Sequence, residues 1–484
     1  MKILRMASMA GLIILLTTIF AANSEPPLSL PLIAELSEPN EPHSVVKRAI
    51  NGEPDKGRWQ WMVKVGGCTG VALSPWWVLT AAHCTNGDPK NLTVEYNTHS
   101  SKGSAKRMET LSKLLVEEDL LKGNFILTPR SARQIIRHPK LDSDTGAHDV
   151  ALLKMNYPMI EKVTRNRLPL NFNTIKAKKE GMEGTAGGYG ISYEKESIAN
   201  RYTASLSVMN VDHTTWLTLN NTQQVPKVLP DKNDGSYKEV SFMNTTVYDF
   251  GGATSLAGDS GGPLTHDDMI IGIVQGASAE IFAQGFVIPY AKFTPLADQK
   301  YFITKHAGVL WNNKDSITKD FTSIRFKGDK VLRRDGRGSP ICRVKDTNST
   351  WRYGAARNVR KSQQHCIYYD DDKKQSSKIF QVANGWEDKQ DGVALSWNEV
   401  RGDSLSTIQA VPIDFDQIDG YPYYLCTPAM KAGATAPEKA RFGTISESSK
   451  TCRIGNTTVK EDYSGDSSNP LLWVLVINDG SESK

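Results

Sequence analysis

The chain alternates short apolar segments with Gly, Asn and Pro and carries no long helical period. Four such segments lie between residues 49 and 308, at 61–65, 76–80, 150–154 and 269–274. Segments of about four to six residues bounded by turn formers are typical of strands. Similar strands recur at 379–382 and 472–476. The pattern therefore predicts an all-β protein.

The first 22 residues have the layout of a secretory signal peptide. Lys2 and Arg5 precede an uncharged apolar run, 6–20, which ends at the small residues Ala21 and Ala22. A membrane anchor is the alternative, but the run is shorter than the ~20 residues that span a bilayer. We therefore expect a secreted, extracellular protein with no membrane anchor.

Residues 23–48 are rich in Pro and Glu and end at the basic pair Lys47 and Arg48. This composition disfavours both helix and sheet. Processing proteases cut at such basic pairs, so we expect a pro-segment that is removed after Arg48. A flexible leader that is never cleaved is the alternative.

Composition and charge restrict the classes of partner that the chain is expected to bind. A chain of 484 residues allows about three compact units. The net charge of +5 is small and widely spread, which argues against nucleic-acid binding. No metal-ligand cluster or phosphate-binding loop stands out, so we expect no metal and no cofactor. Five N-x-S/T motifs predict glycosylation, at Asn91, Asn220, Asn244, Asn348 and Asn456.

Three separated motifs carry the candidate chemistry: LTAAHC at 79–84, HDVALLK at 148–154 and GDSGGPL at 258–264. Taken singly, His83 is compatible with a core histidine, Asp149 with a strand-end cap and the glycine run with a turn. Together, in the order His, Asp, Ser, they resemble the trypsin/chymotrypsin family over about residues 49–308. The resemblance implies two packed six-stranded antiparallel β-barrels, with the three side chains at their interface.

The resemblance also assigns roles. His83 is the expected general base, Asp149 orients it, and Ser260 attacks the peptide bond. The backbone N–H groups of Gly258 and Ser260 are expected to bind the oxyanion. Family members are activated by a cut, which here would follow Arg48. The new α-amino group of Ala49 is then expected to pair with Asp259.

The specificity pocket departs from the family pattern. The residue six before the nucleophile, which forms the pocket floor, is Thr254, and it cannot select Arg or Lys by charge. Gln275, Ala277 and Gly285 are the expected walls. Gln275 replaces a serine that usually supports the aspartate, which puts the support of Asp149 in doubt. We expect cleavage after uncharged, small to medium side chains.

Cysteine spacing predicts the cross-links. Cys68 and Cys84 match the family's disulfide beside the catalytic histidine. Beyond residue 338 lie two further pairs with similar spacing and surroundings, which indicate two repeats with one disulfide each, although pairing between repeats stays open. These four residues are Cys342, Cys366, Cys426 and Cys452.

The last third loosely resembles the DM-nine type of tandem repeat, found in some sugar-binding lectins, through 420–426, 441–443 and 451–454. This implies a β-rich module that binds a glycan or a protein, and a structural role or docking onto the protease domain is the alternative. The expected divisions are a signal peptide (1–22), a pro-segment (23–48), a protease domain (49–308), a linker (309–338) and a C-terminal β-rich module (339–484).

Two classes of function remain open. One is a secreted serine endopeptidase, made as a zymogen, that acts on a protein or peptide substrate. The other is a catalytically impaired homologue that binds or regulates. The presence of both His83 and Ser260 favours the enzyme, whereas Gln275, Gly276 and the Ala49 start favour the homologue.

Overall fold

The fold is described here from a computed structural model. It describes residues 53–54, 59–97, 127–143, 146–173, 182–190, 202–210, 216–219, 230–231, 236–237, 258–281, 287–316, 321–326, 339–347, 349–357, 364–370, 373–386, 394–399, 405–428, 441–449, 451–455, 457–460 and 472–478. All of these residues belong to one compact unit, Lys47–Lys484. The expected signal peptide and pro-segment lie outside them. Within the described ranges, no helix is both long enough and apolar enough to cross a membrane.

The first barrel is a closed ring of six antiparallel strands. Strand β1 (Glu53–Pro54) precedes it and joins the second barrel. The ring runs in the order β2-β3-β4-β7-β6-β5. Its strands are β2 (Met62–Val65), β3 (Cys68–Ser74), β4 (Trp77–Thr80), β5 (Thr93–Asn97), β6 (Leu127–Arg137) and β7 (Ala151–Met155). Val63, Val78 and Leu153 are fully buried in its core. Closure leaves no unpaired edge, which stabilises short strands.

The second barrel closes because β8 pairs with both β9 and β13. The remaining contacts run β9-β10-β15-β14-β13, and β1 pairs with β9. The prediction of two six-stranded antiparallel barrels is confirmed. The strands are β8 (Met182–Gly188), β9 (Tyr202–Asn210), β10 (Trp216–Leu219), β13 (Pro263–His266), β14 (Met269–Ile281) and β15 (Val287–Pro295), with a small hairpin of β11 (Pro230–Asp231) and β12 (Ser236–Tyr237).

Two helices occur in the described part, α1 (Glu161–Arg165) and α2 (Lys300–Ala307), with 3-10 turns at Ala82–Thr85, Pro89–Asn91, Leu296–Gln299 and Lys314–Ser316. Helix α2 ends at Gly308, whose φ is +75°. A Cβ at Gly308 would overlap the backbone oxygen of Pro412. Glycine is therefore required both by the backbone conformation and by the close approach of the following sheets.

Two further sheets follow, and we call residues 311–478 the repeat module. The first sheet contains β16 (Trp311–Asn313), β17 (Arg325–Phe326), β18 (Ser339–Lys345), β19 (Trp351–Arg357), β20 (His365–Asp370), β21 (Lys373–Ser377) and β22 (Gln381–Ala383). The second contains β23 (Ala394–Glu399), β24 (Pro412–Phe415), β25 (Pro422–Pro428), β26 (Gly443–Ile445), β27 (Thr451–Ile454), β28 (Thr457–Lys460) and β29 (Leu472–Asn478).

The two sheets have the same topology. Their orders are β16-β22-β18-β19-β20-β21 and β23-β29-β25-β26-β27-β28, and in each the second strand in sequence pairs with the third. The disulfides Cys342–Cys366 and Cys426–Cys452 occupy equivalent strands. The module is thus a tandem repeat with one disulfide in each copy.

The first repeat begins earlier than its cysteines indicate. Residues 309–338, expected to form a linker or an irregular edge strand, contribute β16 and β17 to its sheet. Val309, Leu310 and Trp311 are buried. Their short apolar run is followed by a densely charged stretch, which is why the sequence favoured a linker at this point.

The module shares one hydrophobic core with the barrels. Trp76 and Trp77 of the first barrel belong to the same buried cluster as Ile413 and Phe415 of the second repeat. The rings of Trp77 and Phe415 are 5.9 Å apart. Packing of this kind buries apolar area from both sides, so each side stabilises the other.

Two buried polar side chains complete this interface. Asn384 accepts a hydrogen bond from the Leu170 N–H (3.1 Å) and donates one to the Leu170 carbonyl (2.9 Å). Arg167 is 2% exposed and donates to Asn312 Oδ1 (3.2 Å) and to the Leu168 carbonyl (2.8 Å). Burial lowers the pKa of Arg167 to about 9. These contacts fix the orientation of the module, because the Asn384 amide and the Arg167 guanidinium each join a barrel residue to a module residue through buried hydrogen bonds.

We predict that Asn384→Ala lowers the free energy of unfolding by about 2–4 kcal/mol, because two buried backbone groups of Leu170 lose their partners. Urea denaturation measures the change. Asn398→Ala, at an exposed position of β23, is the matched control and should change stability by less than about 0.5 kcal/mol. Equal effects of the two substitutions would contradict the role given to Asn384.

Candidate active site

Strand β4 delivers His83 to the junction of the two barrels. The strand ends at Thr80, and His83 follows in the 3-10 turn Ala82–Thr85. The disulfide Cys68–Cys84 ties this turn to the start of β3. The Thr85 hydroxyl donates to the Ala82 carbonyl at 2.7 Å, which closes the turn. His83 is therefore held in place on both sides while its ring stays about half exposed.

Asp149 binds His83 twice. Its Oδ2 lies 2.6 Å from His83 Nδ1, and its Oδ1 accepts the His83 backbone N–H at 3.0 Å. Asp149 is 3% exposed. The hydrogen bond that His83 donates to Asp149 raises the pKa of His83, against the opposing effect of burial. The pair fixes the tautomer with the proton on Nδ1, which leaves the Nε2 lone pair free.

The loop that leads into Asp149 is held by two histidines. The rings of His138 and His148 stack at 4.5 Å. His148 has a φ of +54°, a conformation that costs energy for a residue with a side chain. Burial lowers the pKa of His138 to about 4. The stacked rings support the strained backbone immediately before Asp149.

Ser260 lies in a tight turn that immediately precedes β13. It is 8% exposed, and the flanking Gly258 and Gly261 have φ values of +96° and +81°. A Cβ at Gly261 would overlap the Thr69 carbonyl oxygen. Gly261 N–H donates to the Val274 carbonyl at 2.6 Å. The GDSGG sequence is thus needed because the turn is packed against both barrels.

Thr69 joins the two halves of the site. Its N–H donates to the Ser260 carbonyl (2.8 Å), and its hydroxyl donates to the Gly258 carbonyl (2.8 Å). The same hydroxyl accepts the Tyr189 N–H at 2.9 Å. Thr69 is fully buried on β3, so the Ser260 turn of the second barrel is fixed to the strand that begins beside His83.

The Ser260 hydroxyl does not bind His83 in this structure. It donates instead to the Gln275 carbonyl at 3.3 Å. The Cys84 Sγ lies 3.5 Å from His83 Nε2 and 3.8 Å from the Ser260 carbonyl oxygen, so the two turns are neighbours. Hydrogen bonds of catalytic groups are often long or absent without substrate.

Asp259 lies beside the turn in a pocket bounded by glycines. It is 3% exposed, and its Oδ1 accepts the Gly190 N–H at 2.8 Å. A Cβ at Gly190 would lie 2.6 Å from this oxygen, and one at Gly188 would overlap it. Arg48 and Ala49, the predicted activation residues, lie outside the described residues.

The other predicted residues are partly described. Gln275 and Ala277 lie on β14, whereas Thr254 and Gly285 lie outside the described residues, as does the side chain of Ala277. Asn91 is exposed at the end of a 3-10 turn. The remaining motif asparagines, Asn220, Asn244, Asn348 and Asn456, also lie outside the described residues.

One group of described histidine and cysteine atoms is close enough together to resemble a metal site. It consists of Cys68, His83 and Cys84. Both sulfurs are bonded to each other in the disulfide. Neither cysteine is then a thiolate, which is the form that binds metal ions.

Sequence reasoning missed Gly146 and Gln299. Gln299 hydrogen-bonds His148 Nδ1 through its side-chain amide, at 3.2–3.3 Å. Gly146 lies against the side chain of Gln275. Neither residue lies in a recognisable motif, and both act through contacts with distant parts of the chain.

We predict that Asp149→Asn lowers the pKa of His83 below its ordinary value, because burial remains while the carboxylate is lost. NMR titration of the His83 ring measures the change. Since the folded-state pKa is raised in the native chain, the stabilisation from the pair is complete below about pH 6.5 and disappears as pH rises through the folded-state pKa. Glu95→Gln, an acid-to-amide change on β5, is the control and should leave His83 unchanged; an unchanged pKa in both variants would contradict the prediction.

Comparison with known proteins agrees with this geometry. A family model described as Trypsin matches residues 49–124 and 127–297, just over half of the chain. Trypsin-4 of Rattus norvegicus is 25% identical over 213 residues, which cover 44% of this chain and 69% of that protein. Kallikrein-15 of Saguinus oedipus is 25% identical over 211 residues, which cover 43% of this chain and 69% of that protein.

Among solved structures, neuropsin, a serine protease expressed in the limbic system of mouse brain, is 18% identical with a TM-score of 0.35. The match covers 53% of this chain and 99% of that one. On the extent of the family-model match, the chain belongs to the trypsin family of serine proteases.

Proposed function

We propose that the protein is a secreted serine endopeptidase, made as a zymogen, that cleaves peptide bonds through Ser260, His83 and Asp149. The observation that carries the proposal is the 2.6 Å contact between His83 Nδ1 and Asp149 Oδ2 beside the buried Ser260 turn. Membership of the trypsin family supports the reaction class.

The reaction begins with rotation of the Ser260 hydroxyl from the Gln275 carbonyl toward His83 Nε2. His83 takes the proton as Ser260 Oγ attacks the peptide carbonyl, and Asp149 stabilises the imidazolium that forms. The N–H groups of Gly258 and Ser260 bind the oxyanion, a contribution of about 3 kcal/mol per donor. His83 then protonates the leaving amine, and water hydrolyses the acyl-enzyme by the same route.

Activation is proposed to follow cleavage after Arg48. The α-amino group of Ala49 then pairs with Asp259, whose carboxylate is buried among Gly188 and Gly190. A buried carboxylate gains much from a cationic partner, so the pair would order the Ser260 turn. Ala49 buries less apolar surface than a β-branched residue, which weakens this lock.

Secretion is supported by the disulfides. The structure contains Cys68–Cys84, Cys342–Cys366 and Cys426–Cys452, and no cysteine in the described residues is free. Disulfides of this kind persist in oxidising compartments. The signal-peptide layout of residues 1–22 and the five glycosylation motifs point the same way.

Specificity is proposed for uncharged, small to medium side chains before the cleaved bond. The proposed floor residue, Thr254, carries no charge, and Ala277 adds a methyl group to the wall. Peptide-library profiling tests this part of the proposal. A strong preference for Arg or Lys would contradict it.

A fluorophosphonate probe tests the catalytic proposal. The chain cut after Arg48 should be labelled, Ser260→Ala should not be, and uncut Arg48→Ala should be labelled much more slowly. Full labelling of uncut Arg48→Ala would overturn the proposal that the protein is made as a zymogen. Absence of labelling in the cut native chain would overturn the proposal that it is an enzyme.

The second candidate function is a catalytically impaired homologue that binds or regulates. The hydrogen bond of Ser260 to the Gln275 carbonyl, in place of His83, favours it. Retention of the His83–Asp149 pair favours the enzyme. The labelling experiment distinguishes the two, because an impaired homologue leaves Ser260 unreactive.

We further propose that the repeat module binds a glycan in the groove between its two repeats and the first barrel. This groove has a volume of about 1220 Å³ and is lined in part by Trp351, Tyr369 and Tyr423. Arg343 lies 4.0 Å above the Trp351 ring. Aromatic faces next to polar groups suit sugar rings.

A glycan array with the full chain tests the module. The full chain is needed because β16 and the shared core connect the module to the barrels. Trp351→Ala should abolish the binding, whereas Tyr421→Ala, at a residue 64% exposed and outside the groove, should leave it intact. No binding to glycans, with capture of a protein in its place, would favour the protein ligand.

A further inference from the structure

Gln275 lies at an irregularity of β14. The pairing of β14 with β15 shifts register between Val274 and Gly276, so Gln275 has no regular partner. Val274 is fixed on both its N–H and its carbonyl by the glycines after Ser260, with distances of 2.7 and 2.6 Å. Bulges of this kind redirect a side chain and are common beside active sites.

The redirected side chain of Gln275 lies over Gly146. A Cβ at Gly146 would overlap Gln275 Nε2 and lie 2.7 Å from its Cδ. Gly146 has a φ of +73° and donates its N–H to the Asp142 carbonyl at 2.8 Å. The amide of Gln275 therefore occupies the volume that a side chain at position 146 would fill.

This amide is held by packing. Gln275 Oε1 is buried and has no hydrogen-bond partner within the described part of the chain. An unpaired buried acceptor is unfavourable. A side chain retained in such a position contributes through the space that it fills.

The residue that fills this space also contacts the proposed nucleophile through its backbone. The backbone oxygen of Gln275 is 3.3 Å from Ser260 Oγ, and a reacting substrate carbon must come within about 3–3.5 Å of the same atom. On its other side, Gly146 lies three residues before Asp149, which binds His83. A peptide bound at Ser260 Oγ would therefore lie beside Gln275, whose amide extends toward the loop that carries Asp149.

We propose that the Gln275 side chain is a specificity-determining residue that fills the space between Ser260 and the Asp149 loop, and so excludes bulky substrate side chains next to the residue at the cleaved bond. The inference rests on the proposed peptidase function. It replaces the expected role of Gln275 as a wall of the pocket assigned to Thr254, because the Gln275 side chain points toward Gly146.

Profiling of Gln275→Ala and Gln275→Ser on a peptide library tests the proposal. The peptides compared carry Leu, Phe or Ala at one position next to the cleaved residue. Relative to the Ala peptides, both variants should cleave the Leu and Phe peptides about tenfold faster or more than the native chain does, because the space over Gly146 is opened. Preference at the cleaved residue should not change. Gln134→Ala, at an exposed residue of β6, is the matched control and should keep the native profile.

Labelling with the fluorophosphonate probe, which counts reactive serines, distinguishes failure of the proposed function from failure of the role proposed for Gln275. An unlabelled native chain refutes the proposed function itself. A native chain that cleaves peptides, with variants of unchanged profile, refutes the role of Gln275. Variants that lose labelling while the native chain reacts also refute it, since Gln275 would then be needed to assemble the site.

Discussion

The junction at Thr69 is the constraint on which the site depends. A single buried threonine on β3 donates to the carbonyls of Ser260 and Gly258 and accepts the N–H of Tyr189. The Thr80 hydroxyl in turn donates to the Thr69 carbonyl at 2.7 Å, at the end of the strand that precedes His83. Ser260 and His83, the proposed nucleophile and base, come from different barrels, so their relative position is only as precise as this set of buried hydrogen bonds.

Much of this arrangement was accessible from sequence. The motifs around His83, Asp149 and Ser260 predicted the family and, through it, two antiparallel barrels. Strand-length apolar segments between turn residues supported the same fold. These features are local, since each requires only a few adjacent residues to be read.

The parts that sequence did not reveal depend on contacts between distant residues. Nothing near Gln275 indicates that its amide meets Gly146, or that its carbonyl takes the Ser260 hydroxyl. The start of the first repeat at Trp311 was hidden because a charged stretch follows it. The buried role of Asn384 was equally invisible, since a lone asparagine usually indicates a turn.

The two repeats illustrate how one topology acquires different surfaces. Register places Trp311 and Trp397 at equivalent points, where they pack on Tyr353 and Phe442 at 5.8 and 6.0 Å. Register also makes Asn384 equivalent to Val476, since each forms the isolated bridge of its own sheet. The buried positions of the two repeats are alike, but of these two equivalent residues only Asn384 carries an amide that hydrogen-bonds the barrels.

The short connection between α2 and β16 has an evolutionary consequence. Only three residues, Gly308 to Leu310, separate the last helix of the barrels from the first strand of the repeats. In proteins built from independent domains, recombination can exchange one domain for another. Here such an exchange would have to divide a shared hydrophobic core. Lineages carrying this chain are therefore expected to inherit the barrels and the repeats as one piece, and to diversify them together.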